Sequence, residues 1–252
     1  AILGIKQIYF YKRQSFFLLF TLTITVFVVT FSVNINNSMK NLGNNAAYWG
    51  FDNSELQITK LDGDGGISTE DLVKELRSDS RVKVVVPWYY ALRNVIRNEQ
   101  DGTYQRVVAP IYDGDMDAIG VLNIEGRNPV EDNEIALAIN TSRKNNKTVG
   151  DYIDIWVNGR KKTFLVTGIY QTLINGAEGY RAQKSAIIDV EPDFKAFQFS
   201  LSLKRGTEKG EFMKDFKQKY GDKIDIKTTS EDLGSLFLSI GDNMAVPVQF
   251  IA

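Results

Sequence analysis

Residues 152–170 read YIDIWVNGRKKTFLVTGIY. Two alternating runs, Tyr152 to Val157 and Arg160 to Tyr170, flank the pair Asn158-Gly159. Asn and Gly both tolerate the positive φ of a type I′ turn, so the spacing predicts a tight β-hairpin. A two-residue loop also sets the register, which places Ile153 opposite Phe164. Further strands are expected at Tyr104 to Ile111, Glu134 to Ile139 and Ala186 to Asp189, giving a small twisted sheet or half-barrel.

Outside this β-rich stretch the order of elements repeats. Glu55 to Leu61 alternates like a strand, and Ser68 to Ser78 has Leu72, Val73 and Leu76 on one helix side. Val82 to Val86 is β-branched and predicts a strand that ends at Pro87. Later, Phe197 to Lys204 alternates, Lys209 to Tyr220 gathers Phe212, Met213, Phe216 and Tyr220 on one helix face, and Ile224 to Lys227 alternates again. Each helix must bury its stripe against a sheet, so two β-α-β units are expected to form one mixed α/β sandwich. The expected fold class is α+β. Residues 35–110 and 186–230 make a discontinuous α/β lobe, and residues 111–185 make an inserted β-rich lobe.

The amino-terminal part follows another logic. Phe16 to Val33, FFLLFTLTITVFVVTFSV, contains no charge. As a helix it rises about 27 Å at roughly 1.5 Å per residue, close to the roughly 30 Å hydrocarbon core of a bilayer. Thr21, Thr23, Thr25, Thr30 and Ser32 can return their hydroxyls to carbonyls of the preceding turn, which makes them cheap in lipid. Asn34 to Ser38 offers no small-x-small cleavage site, so the run reads as an anchor and not as a removed leader. Lys6, Lys12 and Arg13 precede the span and only Lys40 follows closely, which puts the amino terminus in the cytoplasm and residues 35–230 outside the cell. Ile2, Leu3, Ile5, Ile8, Tyr9 and Phe10 interleave with these cations and suit an interfacial helix. Residues 1–34 thus comprise an interfacial segment and a first transmembrane helix. Residues 231–252 read as the start of a second one, cut short, because Leu233 to Ala252 carries only Asp242 as a charge. A chain that starts with Ala and stops on VPVQFIA is expected to be a fragment of a longer multi-pass protein.

Composition closes off several functions. The 252 residues include no cysteine and no histidine, which removes thiolate and imidazole catalysis, disulfides and Cys/His zinc sites. A formal net charge of -1 gives no drive toward nucleic acid. No P-loop motif occurs. Lys60 to Asp71 imitates a calcium loop, with Asp62, Asp64, Gly65, Ile67 and Asp71 at positions three, five, six, eight and twelve. Lys60 stands where the first ligand belongs, however, and a glycine-rich turn before a helix capped by Ser68 and Asp71 accounts for the same residues. Asp113-Gly-Asp115-Met-Asp117 reads as a solvated loop, and Pro87-Trp88-Tyr89-Tyr90 as core aromatics with a secondary claim to a contact surface. Sequons at Asn36, Asn140 and Asn146 matter only in a eukaryotic secretory pathway. No catalytic, cofactor-binding or metal-binding residue is expected in this chain, and it is not expected to be an enzyme.

One ordered series remains: Ile124-Glu-Gly126-Arg127-Asn-Pro129, Asn133-Glu134-Ile135-Ala-Leu137, Val149-Gly150-Asp151-Tyr-Ile153 and Phe164-Leu-Val166-Thr-Gly168-Ile169-Tyr170. It resembles the extracytoplasmic core domain of MacB-like and FtsX-like ABC transporter permeases. Physically these residues read as fold determinants: Gly150-Asp151 turns into a strand, and Gly168 permits a bulge or close packing. Asn140 to Thr148, NTSRKNNKT, departs from the pattern, since the family usually has a more apolar helix there. The resemblance implies a permease subunit that dimerises and works with a cytoplasmic ATP-binding subunit. Its extracellular domain would move for export or mechanotransmission, with ATP used by that partner and no cofactor in this chain. Membrane lipid is the remaining expected partner. The Thr ridge of the first helix would serve helix contacts, an idea removed if Thr23→Leu and Thr30→Leu leave coupled activity unchanged. The alternative is the extracellular sensor domain of a bacterial receptor, and a membrane-anchored hydrolase stands third.

Overall fold

The computed structural model describes residues 12–40, 43–61, 67–98, 101–193 and 195–235. Two compact units divide the chain at residue 42.

The first unit is built on helix α1 (Lys12–Lys40). Within residues 12–34 an 18-residue window reaches a mean hydropathy of 2.4, and none of that window is buried. The hydroxyls of Thr21, Thr23 and Thr25 donate to the carbonyls of Phe17, Leu19 and Thr21, each at 2.8 Å. These three hydroxyls are bonded within the helix, which lowers their cost against lipid. The expected interfacial segment, residues 1–11, and most of the expected second span, residues 236–252, lie outside the described residues.

The second unit begins with a 3-10 helix at Gly43–Trp49. In chain order it contains β1 (Leu56–Lys60), α2 (Thr69–Ser78), β2 (Val82–Arg97), β3 (Tyr104–Tyr112), β4 (Glu125–Gly126), β5 (Glu134–Ala138), α3 (Ile139–Asn145), β6 (Tyr152–Val157), β7 (Arg160–Tyr170), β8 (Tyr180–Gln183), β9 (Gln198–Leu203), α4 (Lys209–Tyr220) and β10 (Ile224–Thr228). Residues 229–235 are helical again.

Four strands pair in the order β10-β1-β9-β2, every neighbour antiparallel. The strands that flank each helix are not neighbours: β9 lies between β1 and β2, and β1 lies between β9 and β10. This is a split β-α-β arrangement in which the two units interleave. Leu72 and Leu76 of α2, Phe212 and Phe216 of α4, and Leu56, Ile58, Phe199, Leu201 and Ile226 of the sheet form one buried cluster. Alternation along the strands turns Gln57, Ser200, Val86 and Trp88 to the opposite, helix-free face. Phe212→Leu leaves a gap beside Phe216, whose ring is stacked 5.5 Å away. The expected loss is about 1–2 kcal/mol in urea denaturation, and an unchanged midpoint would contradict this shared core.

The β-rich part closes on itself. β2 pairs β3, β3 pairs β8, β8 pairs β5, β5 pairs β7, β7 pairs β6, and β6 returns to β2 through Asn94↔Val157 to Ile96↔Ile155. The expected half-barrel is a closed six-stranded barrel, its interior filled by residues such as Ile96, Ile111, Ile135, Phe164 and Tyr180. The hairpin has the expected register, Ile153↔Phe164, with φ of 49° at Asn158 and 83° at Gly159.

Two sequence expectations need correction. Val82 to Arg97 is one strand of 16 residues that does not stop at Pro87. Proline has no N–H to place in a ladder, but its carbonyl accepts from the amide of Asp113 at 2.8 Å, so the chain runs on and exchanges β9 for β3 and β6 as partners. Residues 88–97 and 104–112 therefore pair within the barrel and not solely within the α/β lobe. Ala186 to Asp189 is not a strand: 3-10 and hydrogen-bonded turns cover 184–190, and Ala186 and Ile187 are fully buried in the barrel cluster. The strand lies just upstream, at β8, where Tyr180 and Ala182 face inward.

Candidate functional site

The motif series assembles at one place. Gly126 in β4 pairs with Gly168 in β7, and the two backbones are in contact: a Cβ on Gly126 would lie 2.1 Å from the carbonyl oxygen of Thr167, and one on Gly168 2.5 Å from that of Arg127. A register shift between Ile135 and Ala136 against β7 marks the bulge beside them. The Arg127 guanidinium forks onto the Glu134 carboxylate, with Nη1 donating to Oε2 at 2.7 Å and Nη2 to Oε1. The amides of Val130 and Glu131 also donate to Glu134 Oε2. Asp151 takes the amide and hydroxyl of Thr148, which pins the turn into β6. These groups bond one another and so hold the fold.

Glu134 carries a pH prediction. The guanidinium beside it, helped by the two amides, holds its carboxyl down to about 2 against burial, which acts the other way. A carboxylate depressed when folded contributes stability that is complete above its unfolded pKa of about 4.5 and drains as pH falls from there toward 2. Because Arg127 is half exposed, the contribution is about 2 kcal/mol and not the full value of the shift. Glu134→Gln should therefore cost about 2 kcal/mol at pH 7, and the gap to the parent should shrink through pH 4.5 to 2 in urea titrations. A gap constant with pH would refute the assignment.

A second assembly lies where residues 49–57 meet both lobes. The Asp52 carboxylate is buried on the helix-free face of the sheet. It accepts from the amide of Ser54 at 2.9 Å, from Gln57 Nε2 at 3.0 Å and from Ser200 Oγ at 2.7 Å. Ser200 Oγ in turn receives Trp88 Nε1 at 2.9 Å. Trp88 stands edge-on to Tyr90 and stacks on Tyr112. The same segment binds the barrel: the amide of Leu173 donates to the carbonyl of Trp49, and that of Asn53 to Ile119. The far end of the unit is attached here too, because Thr229 Oγ1 donates to the Ser54 carbonyl at 2.6 Å and its amide to that of Glu55. The chain segment entering the unit and the one leaving it are thus bonded side by side.

Arg181 is the central cation of this junction. It projects from the outer face of β8 and is completely buried. Nη1 donates to the carbonyl of Leu122 and Nη2 to that of Gly50, both at 3.2 Å, and the guanidinium lies 3.8 Å from the centre of the Tyr170 ring. Its Nε is buried without a hydrogen bond. Burial pushes the Tyr170 hydroxyl up to about 12 and those of Tyr90 and Tyr112 higher, so all three stay neutral near pH 7. The arrangement is a latch of buried polar groups that ties residues 49–57 to sheet and barrel.

The residues singled out by motif are dispersed. Asp113 pairs with Lys184 at 2.9 Å, Asp115 caps the amides of Asp117 and Ala118, and Asp117 receives Asn128. The three carboxylates hold a loop and do not converge. Asp62, Asp64 and Gly65 of the calcium-like stretch lie outside the described residues. Ser68 accepts the amide of Asp71, while its hydroxyl donates to the short Asp71 carboxylate. Among the described residues no group of acidic side chains is arranged to hold a metal. Trp88 and Tyr90 line a cleft and Tyr89 sits in the barrel core, so the aromatic cluster divides by strand parity. The polar stretch Asn140 to Thr148 is not loose: Thr141 is fully buried and accepts the amide of Gly179 at 2.8 Å. Asp52 and Arg181 had no motif to announce them. Their only signal is a charge placed beside aromatics, Trp49-Gly-Phe51 and Tyr180.

No sequence-family model and no curated protein sequence matches the chain. Among solved structures, the periplasmic region of MacB from Actinobacillus actinomycetemcomitans superposes with a TM-score of 0.55 at 12% identity, covering 74% of this chain and 94% of that one. The fold is that of the MacB periplasmic region. The extracellular domain of the noncanonic ABC-type transporter YknZ from Gram-positive bacteria also matches, with a TM-score of 0.48 at 10% identity over 68% of this chain and 98% of that one. The MacB-type fold accounts for the two-lobed unit. At this identity the likeness is one of fold and does not extend to individual side chains.

Proposed function

We propose that this chain is the anchor and extracellular domain of a permease subunit of a MacB/FtsX-type ABC transporter. A cytoplasmic ATP-binding partner does the chemistry, and the permease acts as a dimer in the membrane. The observation that carries the reading is the junction. Residues 49–57 follow the apolar helix in the chain, residues 229–235 precede the expected second span, and hydrogen bonds through Ser54, Glu55 and Thr229 join them at the meeting point of the two lobes. A change in spacing between two membrane helices would be delivered to that point, and a buried polar latch transmits displacement better than a fluid apolar contact, because its bonds have fixed directions.

The test is hydrogen exchange on the assembled permease and ATPase, with and without a non-hydrolysable ATP analogue and magnesium. Protection at residues 46–57 and 229–235 should change on nucleotide binding while that of the barrel hairpin, residues 152–170, stays constant. Nucleotide-saturated partner with no change at the junction would contradict the coupling role. Failure of the chain to copurify with any Walker-type ATPase would contradict the assignment itself.

A further inference from the structure

Beside the latch, a cleft of about 380 Å³ opens between residues 51–52, the helix-free face of the sheet and residues 229–235. Its walls combine Phe51, Trp88, Tyr90, Ile174 and Leu233 with a few polar groups, the usual make-up of a small-molecule site of this size. The polar groups are unbalanced. Several donors are occupied: Gln57 Nε2 is held by Asp52 and Ser54, Thr229 Oγ1 donates to Ser54 and Ser235 Oγ to the Glu231 carbonyl, while the Tyr90 hydroxyl and the Gln198 amide N–H stay open among the described residues. The Trp88 indole N–H donates to Ser200. The half-buried Asp232 carboxylate, in contrast, accepts no hydrogen bond among the described residues. No lysine or arginine lines the cleft, whereas two carboxylates, Asp52 and Asp232, do. Burial, together with Asp225 and Asp52, raises the Asp232 pKa against the opposing effect of Lys227, so a positive charge beside it would be welcome.

We infer that this cleft binds a small organic primary ammonium, its N–H groups on the Asp232 carboxylate and its apolar body against Trp88 and Tyr90. An ammonium carries donors and a positive charge, which suits a wall that holds a vacant carboxylate and no cation. Aromatic faces add cation–π attraction. A ligand there would touch residues 51–52 and 232–233 together and so bridge the two chain segments that the latch already joins. The inference concerns binding alone and does not require the transporter reading.

The probe is phenethylamine, a cation at neutral pH, titrated into the full chain in detergent micelles and followed by tryptophan fluorescence, with empty micelles as reference. 2-Phenylethanol, the uncharged analogue with the same ring, is the control. Saturable binding of the amine is expected, at least tenfold tighter than that of the alcohol and weakened at least tenfold by Asp232→Asn. Asp232 is exposed enough for its variant to keep the parent's melting curve, and that measurement separates a lost site from a lost fold. Equal binding of amine and alcohol, no saturable binding, or an unaltered affinity in a folded Asp232→Asn chain would each overturn the proposal.

Discussion

Arg181→Leu is expected to destabilise the two-lobed unit by about 3 kcal/mol and to free residues 46–50 from the barrel. Two part-buried carbonyls, of Gly50 and Leu122, lose their donors, at about 1–2 kcal/mol each. The shorter side chain also leaves the face of Tyr170 uncovered. Against this, the variant no longer buries a guanidinium whose Nε is unbonded, a relief that holds the net loss below the sum of those costs. Arg181→Lys keeps the charge and can reach one carbonyl, so it should recover about half. Denaturant unfolding measures the sum, and amide exchange at Leu173, whose N–H bonds the Trp49 carbonyl, reads the detachment directly. A stable Arg181→Leu chain with Leu173 fully protected would show that the latch holds nothing.

Gly126→Ala is expected to cost about 3–5 kcal/mol, through two effects that add. At φ 70° any L side chain pays roughly 1–2 kcal/mol. The new methyl would also stand 2.1 Å from the Thr167 carbonyl and 3.0 Å from the Gly168 Cα, so β4 must leave β7 and take Arg127 away from Glu134. The comparison is Gly102→Ala. Its φ of 72° is nearly the same but no atom lies within 4 Å of its Cβ, so it should lose only the conformational part, about 1 kcal/mol. Equal melting temperatures for the two variants would mean that the close approach of β4 and β7 is not structural.

What the sequence reveals and what it hides follow from the range of the interactions. The hairpin at residues 152–170 was legible because a two-residue turn and alternation settle it locally. The helices at Thr69–Ser78 and Lys209–Tyr220 were legible because their stripes need only periodicity. Closure of the barrel was not, since it depends on Asn94 to Ile96 meeting Ile155 to Val157 about sixty positions away, and no local pattern encodes a partner. Pro87 misled because a proline commonly ends a strand, whereas here it sits where β2 changes neighbours. Ala186-Ile-Ile188 misled because a short apolar run looks the same in a strand and in a buried turn. The motif series did mark real structure, but it pointed to the Gly126, Arg127, Glu134 and Gly168 core and not to the junction. Asp52 and Arg181 gain their meaning only from carbonyls and hydroxyls brought to them by residues as distant as Ser200 and Gly50.

The central claim is that α1 holds the chain in a bilayer with the two-lobed unit on the outer side. The absence of native cysteine makes a direct measurement possible. Arg160→Cys, exposed beside the hairpin turn, is treated in intact cells or sealed spheroplasts with a membrane-impermeant maleimide. The account predicts full labelling before lysis. A thiol that reacts only after the membrane is broken would contradict it.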